Sequence, residues 1–209
     1  MSSKSKIGVV DYGGGNIRSL LKALETLGAK PHLVEGPGQM EDTDVLFFPG
    51  QGAFGDCMEK LHDRGLVSAL LGWIRADRPF FGICVGYQLL FESSEESPGV
   101  GGLSVFPGKV TRFPARGLKV PHMGWNGAML STPDSAPWTG LGEEPYFYYV
   151  HSYFPIPVDP GLTAARSTYG VQFSGAIQHG RLIATQFHPE KSQKAGMKLL
   201  GNFLAQHTP

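Results

Sequence analysis

The first half of the chain alternates short apolar runs with helical stripes. Lys6–Val10 is an apolar run that stops at Asp11 and reads as a buried strand. Over Asn16–Leu27, apolar residues stand at 17, 20, 21, 24 and 27, one face of a helix that Gly28 closes. Further strands are predicted at Lys30–Val34, at Val45–Phe48 (stopped by Pro49 and Gly50) and at Pro79–Ile83. Ala53–Arg75 reads as helical with a break near Gly65, and Val85–Phe91 as a short helix entered directly from Cys84. Strands alternating with helices imply parallel pairing, right-handed crossovers and helices on both faces of the sheet.

Later in the chain the pattern changes. Gly101–Phe113, Tyr146–Phe154, Leu162–Ser167, Val171–Gln178 and Leu182–Gln186 are strand-like and separated by turn signals. Only Gln193–Ala205 carries a helical stripe, at 197, 199, 200, 203 and 204. No linker-like stretch and no repeat separates the halves. The expected fold is α/β, one domain over residues 1–209. It has a central, mostly parallel sheet flanked by helices, with mixed and antiparallel strands added from the C-terminal half.

Composition narrows the function classes. With 209 residues, 41% hydrophobic and 17% charged, the chain can build one compact core and is not disordered. Eighteen basic residues balance eighteen acidic ones, which removes the electrostatic case for nucleic acid or an anionic membrane as a partner. Apolar runs such as Val45–Pro49 and Pro79–Val85 are too short to cross a bilayer. No signal-peptide h-region follows Met1–Lys6, and two cysteines do not make a disulfide framework. A reducing cytoplasm is therefore expected. The 29 glycines and 16 prolines follow no collagen-like period and point to many tight turns.

The strongest chemical signal is Phe81-Gly82-Ile83-Cys84-Val85-Gly86-Tyr87-Gln88. A hydrophobic strand delivers a cysteine to a turn with a glycine two residues to either side, and a helix begins at once. This is the geometry of a nucleophile elbow. The helix dipole would favour the Cys84 thiolate, and the Val85 N–H would face a tetrahedral oxyanion. The competing reading is a buried structural cysteine. The flanking glycines favour the nucleophile for Cys84, and nothing favours it for Cys57.

A cysteine nucleophile needs a base, and Gln186-Phe187-His188-Pro189-Glu190 singles out one histidine of seven. Pro189 drives His188 into an extended conformation, which would place the side chains of His188 and Glu190 on one side. The carboxylate could then hold one ring nitrogen while the other faces the thiol. By itself the segment is better read as a histidine ending a strand beside a solvated glutamate. The Phe48–Phe54 loop follows a strand and opens a helix, and its glycines can turn a second oxyanion N–H, at Gln51 or Gly52, towards the site. An ordinary βα turn is the alternative. Asp11–Asn16 is a poor dinucleotide fingerprint, because Arg18 stands where the third glycine belongs. Asn16 as a helix cap accounts for its placement equally well. With no Walker A lysine motif, C-x-x-C or H-E-x-x-H, neither a metal nor another cofactor is expected.

Together these motifs resemble the class I, triad-type glutamine amidotransferases. More narrowly they resemble the glutaminase-subunit family of imidazole glycerol phosphate synthases, from histidine biosynthesis. The resemblance runs nearly end to end, through Asp11–Asn16, Pro49–Phe54, Gly82–Gln88, Pro121–Asn126, Val150–Tyr153 and Gln186–Ser192. It implies a flavodoxin-like sheet and Cys84, His188 and Glu190 as the triad. It also implies backbone oxyanion donors at Val85 and in the loop carrying Gln51 and Gly52, Gln51 standing where the family often has an aliphatic residue. Gln88, Glu96, Ser152 and Tyr153 are implied around the α-amino and α-carboxylate groups of L-glutamine. From spacing alone, Gln88 lies one helical turn beyond Cys84 and can face the same pocket, whereas Glu96 reads as readily as part of a solvated acidic loop.

The implied partner is a (β/α)8-barrel cyclase subunit, forming a heterodimer and receiving the ammonia. Pro121–Asn126 lacks the alternation of a buried strand, and its Met123 and Trp125 suit an interface. A tryptophan folded into the local core is equally open on composition, and the resemblance favours the contact. Asn16 and Lys191 are the other contact candidates. Two further function classes remain at this point: a different hydrolase on the same elbow, such as a γ-glutamyl peptidase, and a catalytically silent binding module.

Overall fold

The computed structural model describes residues 5–14, 17–114 and 117–208. The expected alternation yields β1 (Ile7–Val10), α1 (Ile17–Thr26), β2 (Pro31–Val34), α2 (Gly38–Glu41), β3 (Val45–Gly50), α3 (Phe54–Asp63), α4 (Leu66–Arg75), β4 (Phe80–Cys84) and α5 (Val85–Gln88). Every residue of β1, β3 and β4 is buried, which is why these strands read as unbroken apolar runs. Gly65 makes the break between α3 and α4. The four residues of α2 are too few to leave a periodic signal.

The remaining elements are β5 (Ser93–Ser94), β6 (Gly108–Arg112), β7 (His122–Gly127), β8 (Met129–Leu130), β9 (Tyr146–His151), β10 (Tyr153–Pro157), β11 (Thr163–Tyr169), β12 (Val171–His179), β13 (Leu182–Thr185) and α6 (Gln193–His207). One sheet of eight strands runs in the order β2-β1-β3-β4-β13-β12-β11-β8. The strands from β2 to β13 in that order are parallel, and β12, β11 and β8 add on antiparallel. β13 joins the two halves, lying parallel to β4 and antiparallel to β12. From α6, Phe203 packs against Phe47 and Phe81 with ring centroids 5.7 and 5.0 Å apart, so the last helix and the parallel strands share one core. The fold class is the expected one. Among the described residues, no helix is long and apolar enough to cross a membrane.

Local departures have identifiable causes. Gly101–Phe113 is a strand only from Gly108, because the N–H groups of Gly102, Leu103 and Val105 donate back to Glu92, Leu89 and Leu90 and form no ladder. Tyr146–Phe154 divides at Ser152: β9 pairs with β7, whereas β10 pairs with β6. Pro121–Asn126, which lacked a strand pattern in the sequence, is mostly strand. In β7, His122 points inward while Met123 and Trp125 point outward, the period of a half-buried strand.

Candidate active site

Three neighbouring parallel strands end at one level. Gly50 of β3 is paired with Cys84 of β4, and Thr185 of β13 with Ile83. The segments leaving these strands therefore converge at the carboxyl edge of the sheet, where open α/β sheets bind ligands. Cys84 sits there with φ +56° and ψ −111°, a backbone conformation that costs energy in an L-residue and is held by its surroundings. The turn requires glycine at 86, because a Cβ there would collide with the carbonyl oxygen of Phe48. α5 is only four residues long, shorter than the helix anticipated from the sequence, and a side-chain donor also reaches the sulfur. That donor is Gln186, whose Nε2 lies 3.7 Å from Cys84 Sγ.

His188 is extended and its N–H donates to the Tyr148 carbonyl at 2.9 Å. Pro189–Lys191, however, is a single 3₁₀ turn. That turn, and not strand alternation, brings Glu190 Oε1 to 2.8 Å from His188 Nδ1. Ser192 closes it, donating to the His188 carbonyl at 2.6 Å and accepting from the Tyr148 N–H at 2.9 Å. A carboxylate acceptor at Nδ1 fixes a proton there. His188 Nε2 and Glu190 Oε2 are buried with no hydrogen-bond partner, an arrangement that folded proteins tolerate where a ligand or a moving proton will use the atoms.

Burial pulls the His188 imidazolium down. The Cys84 sulfur and the Glu190 carboxylate together outweigh that and push it up to about 10. The protonated ring is thereby favoured, paired with a carboxylate on one side and facing a sulfur on the other. Because the folded value lies above the ordinary 6.5, the stability this pairing contributes is complete below pH 6.5. It is lost as pH rises through about 10.

One cavity of about 230 Å³ is lined by Gln51, Gly52, Cys84, Val85, Gln88, Glu96, Pro121, Val150, His151, Ser152, Tyr153, His188 and Lys191, with Glu190 standing behind His188. Gln88 donates through Nε2 to the Tyr153 carbonyl at 3.0 Å and to Gln186 Oε1 at 3.1 Å. Its Oε1 is left as an acceptor for a ligand. Glu96 is not part of a solvated loop: its Oε2 accepts the Phe54 N–H at 2.8 Å, and Ser97 Oγ accepts the Gly55 N–H at 2.9 Å. The acidic loop thus caps α3, the helix that the oxyanion loop enters. Gly52, at φ +107°, occupies backbone space closed to other residues. Cys57 lies outside the cavity lining; burial pushes its thiol up, and it is tied to Tyr12 Oη at 3.5 Å and to the Gln51 carbonyl at 3.6 Å.

The outward face of β7 carries Met123, 61% exposed, and Trp125, 46% exposed. Trp125 is therefore not a core residue. Asn16 lies outside the described residues. Gln186, His122 and His151 carry no sequence signal that marks them as part of the site. Gln186 has no periodic signature, and the two histidines meet only through the pairing of β7 with β9.

Comparison with known proteins bears on this geometry. Residues 8–207 match the family model described as glutamine amidotransferase class-I. The chain is 47% identical over 208 residues to the imidazole glycerol phosphate synthase subunit HisH of Synechococcus elongatus, covering 99% of this chain and 95% of that protein. It is also 47% identical over 198 residues to the protein of the same name from Methanothermobacter thermautotrophicus, covering 95% and 97%. In fold it is similar to a crystal structure of a glutamine amidotransferase (TM-score 0.71, 23% identity, 95% and 97% covered). It is likewise similar to a chain of the PurLQS structure from Thermotoga maritima (TM-score 0.75, 19% identity, 97% and 99% covered).

Proposed function

Because the chain belongs to the glutamine amidotransferase class-I family, we infer that it hydrolyses L-glutamine to glutamate and ammonia in histidine biosynthesis, as the glutaminase subunit of an imidazole glycerol phosphate synthase. The observation that carries the chemistry is the meeting of a strained Cys84 with a carboxylate-backed His188 in one small cavity. The Cys84 thiolate attacks the side-chain carbonyl of glutamine, and a C–S bond forms as the carbonyl oxygen becomes an oxyanion. Val85 N–H and an N–H of the Gln51–Gly52 loop receive that oxyanion. Such a donor is worth about 3–4 kcal/mol in the transition state. His188 then passes its Nε2 proton to the departing nitrogen as the C–N bond breaks, releasing ammonia and leaving a glutamyl thioester. Water, deprotonated by His188, hydrolyses the thioester to glutamate. Gln88 and Glu96 present acceptors to the α-ammonium group, and the Ser152–Tyr153 segment meets the carboxylate.

Ammonia released into neutral water is protonated and ceases to be a nucleophile, so a receiving partner is part of the reading. That partner is a (β/α)8-barrel cyclase subunit. Asn16, Met123, Trp125 and Lys191 are assigned to its contact. Trp125→Ala is expected to weaken association by about thirtyfold, the scale of an interface hot spot, with the melting temperature of the isolated subunit little changed. A titration of the two purified subunits measures this. A severe loss of melting temperature with unchanged partner affinity would place Trp125 in a structural role.

The test of the function is glutamine hydrolysis with and without the partner and its ligand. Two glycines flank Gln51, so the peptides there reorient at little steric cost, and the oxyanion donor is expected to be set by the partner. Basal hydrolysis should be weak and should rise sharply when partner and ligand are added. Full activity in the isolated chain would instead favour a stand-alone hydrolase.

A further inference from the structure

His122 and His151 are opposite residues in the β7–β9 pair, and their side chains meet in the buried layer between that pair and Phe113, Phe173 and Tyr169. His151 Nδ1 lies 2.8 Å from the Tyr153 carbonyl, and His151 Nε2 lies 3.2 Å from His122 Nδ1. His122 Nε2 lies 3.5 Å from Asn126 Nδ2, which also donates to the Thr168 carbonyl at 2.9 Å. These contacts admit one arrangement of protons. A carbonyl only accepts, so His151 carries its proton on Nδ1. Neutral His151 then accepts at Nε2, which places the His122 proton on Nδ1 as well, and His122 Nε2 accepts from the Asn126 amide.

The chain does not stop at the carbonyl. Tyr153 O also accepts from Gln88 Nε2, Gln88 donates in turn to Gln186 Oε1, and Gln186 Nε2 reaches Cys84 Sγ. Tyr153, Gln88 and Cys84 all line the cavity, and so does an edge of His151, whose two ring nitrogens are nevertheless turned to the Tyr153 carbonyl and to His122. One end of this connected set is a strand whose other face presents Met123 and Trp125 to solvent. The other end is the nucleophile.

We propose that His122 and His151 are positioning residues for the amide substrate, acting as a neutral donor chain that fixes the Tyr153 carbonyl and, through it, the orientation of the Gln88 amide. With Gln88 Nε2 committed to two acceptors, what this cavity-lining amide has left to offer a ligand is its Oε1 acceptor, which suits a donor such as an α-ammonium group. Neutral rings suit this role. Burial pushes His122 down to about 4. Burial also pushes His151 down to about 3, against the pull of the Tyr153 carbonyl, and the nearby His122 and His188 act in the same direction as burial. A charged His151 would point its Nε2–H at the Nδ1–H of His122, and a charged His122 would point its Nε2–H at the Asn126 amide.

The inference rests on the glutaminase reading, and two measurements separate their failures. The first is nitrogen NMR of the full chain labelled in its histidines. Both rings should report the Nδ1–H tautomer, the less common one for free histidine, and should stay neutral well below the ordinary 6.5. An Nε2–H tautomer for His151, or titration of either ring near the ordinary value, overturns the proposal whatever the chain hydrolyses. The second is steady-state kinetics of the complex with its cyclase partner. His151→Phe should raise the KM for glutamine about tenfold with kcat within about twofold, the pattern of lost ground-state binding. His151→Asn, whose Nδ2 stands in for ring Nδ1, should recover KM to within about threefold of the parent. An unchanged KM in a folded His151→Phe protein, or no recovery in His151→Asn, also overturns it. If His151→Phe does not fold, the tautomers and His151→Asn decide the matter.

Discussion

Cys84→Ala abolishes glutamine hydrolysis, with an expected loss beyond about 10⁴-fold, the scale set by removing a covalent nucleophile. No other thiol lines the cavity. The substitution should spare the fold, because it removes only the sulfur and leaves the glycine at 86 on which the turn depends. The partner subunit, supplied with ammonium salts, should continue its own synthesis undiminished. Cys57→Ala should leave hydrolysis within a few-fold of the parent, since that thiol lies outside the cavity lining and makes only long hydrogen bonds, from the Tyr12 hydroxyl and to the Gln51 carbonyl. If ammonia-driven synthesis disappeared along with hydrolysis in Cys84→Ala, the division of labour between the two subunits would be wrong. If Cys57→Ala were the silent enzyme, the nucleophile would be misassigned.

Glu190→Gln is expected to reduce kcat by up to about 10⁴-fold, the loss seen when the carboxylate that orients a catalytic histidine becomes an amide. The pH dependence gives a second readout. Glu190 and the Cys84 sulfur jointly hold His188 above its ordinary value. Without the carboxylate the imidazolium gives up its proton at lower pH, so the alkaline limb of kcat/KM should move towards neutrality. The stability penalty of the substitution has the matching sign. It should be largest below pH 6.5, where the parent pairing is complete, and should shrink as pH rises through about 10. An alkaline limb that stayed in place would mean that Glu190 does not act on His188.

The parts of this site that were legible in the sequence are those set by a few adjacent residues. Cys84 could be found because an apolar strand, two glycines and a helix start fall within eight positions. The His188–Glu190 contact was anticipated for a reason that did not hold, since a 3₁₀ turn supplies it where strand alternation was invoked. Glu96 looked like one acid among several because its partner, the N–H of Phe54, lies 42 residues away. The same holds for His122 and His151, which are 29 residues apart and joined only by strand register. The Tyr146–Phe154 run concealed a division between two sheets, because both halves remain apolar through it. Local chemistry is written locally, whereas long-range pairing is decided by topology.

The central claim is that Cys84 carries the glutamyl group. The direct measurement is mass spectrometry of the complex, acid-quenched during turnover of glutamine and digested at low pH to preserve thioesters. The account predicts an adduct equal to glutamine less ammonia on the peptide containing Cys84, lost on treatment with hydroxylamine. Glutamine turnover with that adduct on the Cys57 peptide, or with undiminished hydrolysis in Cys84→Ala, would contradict it.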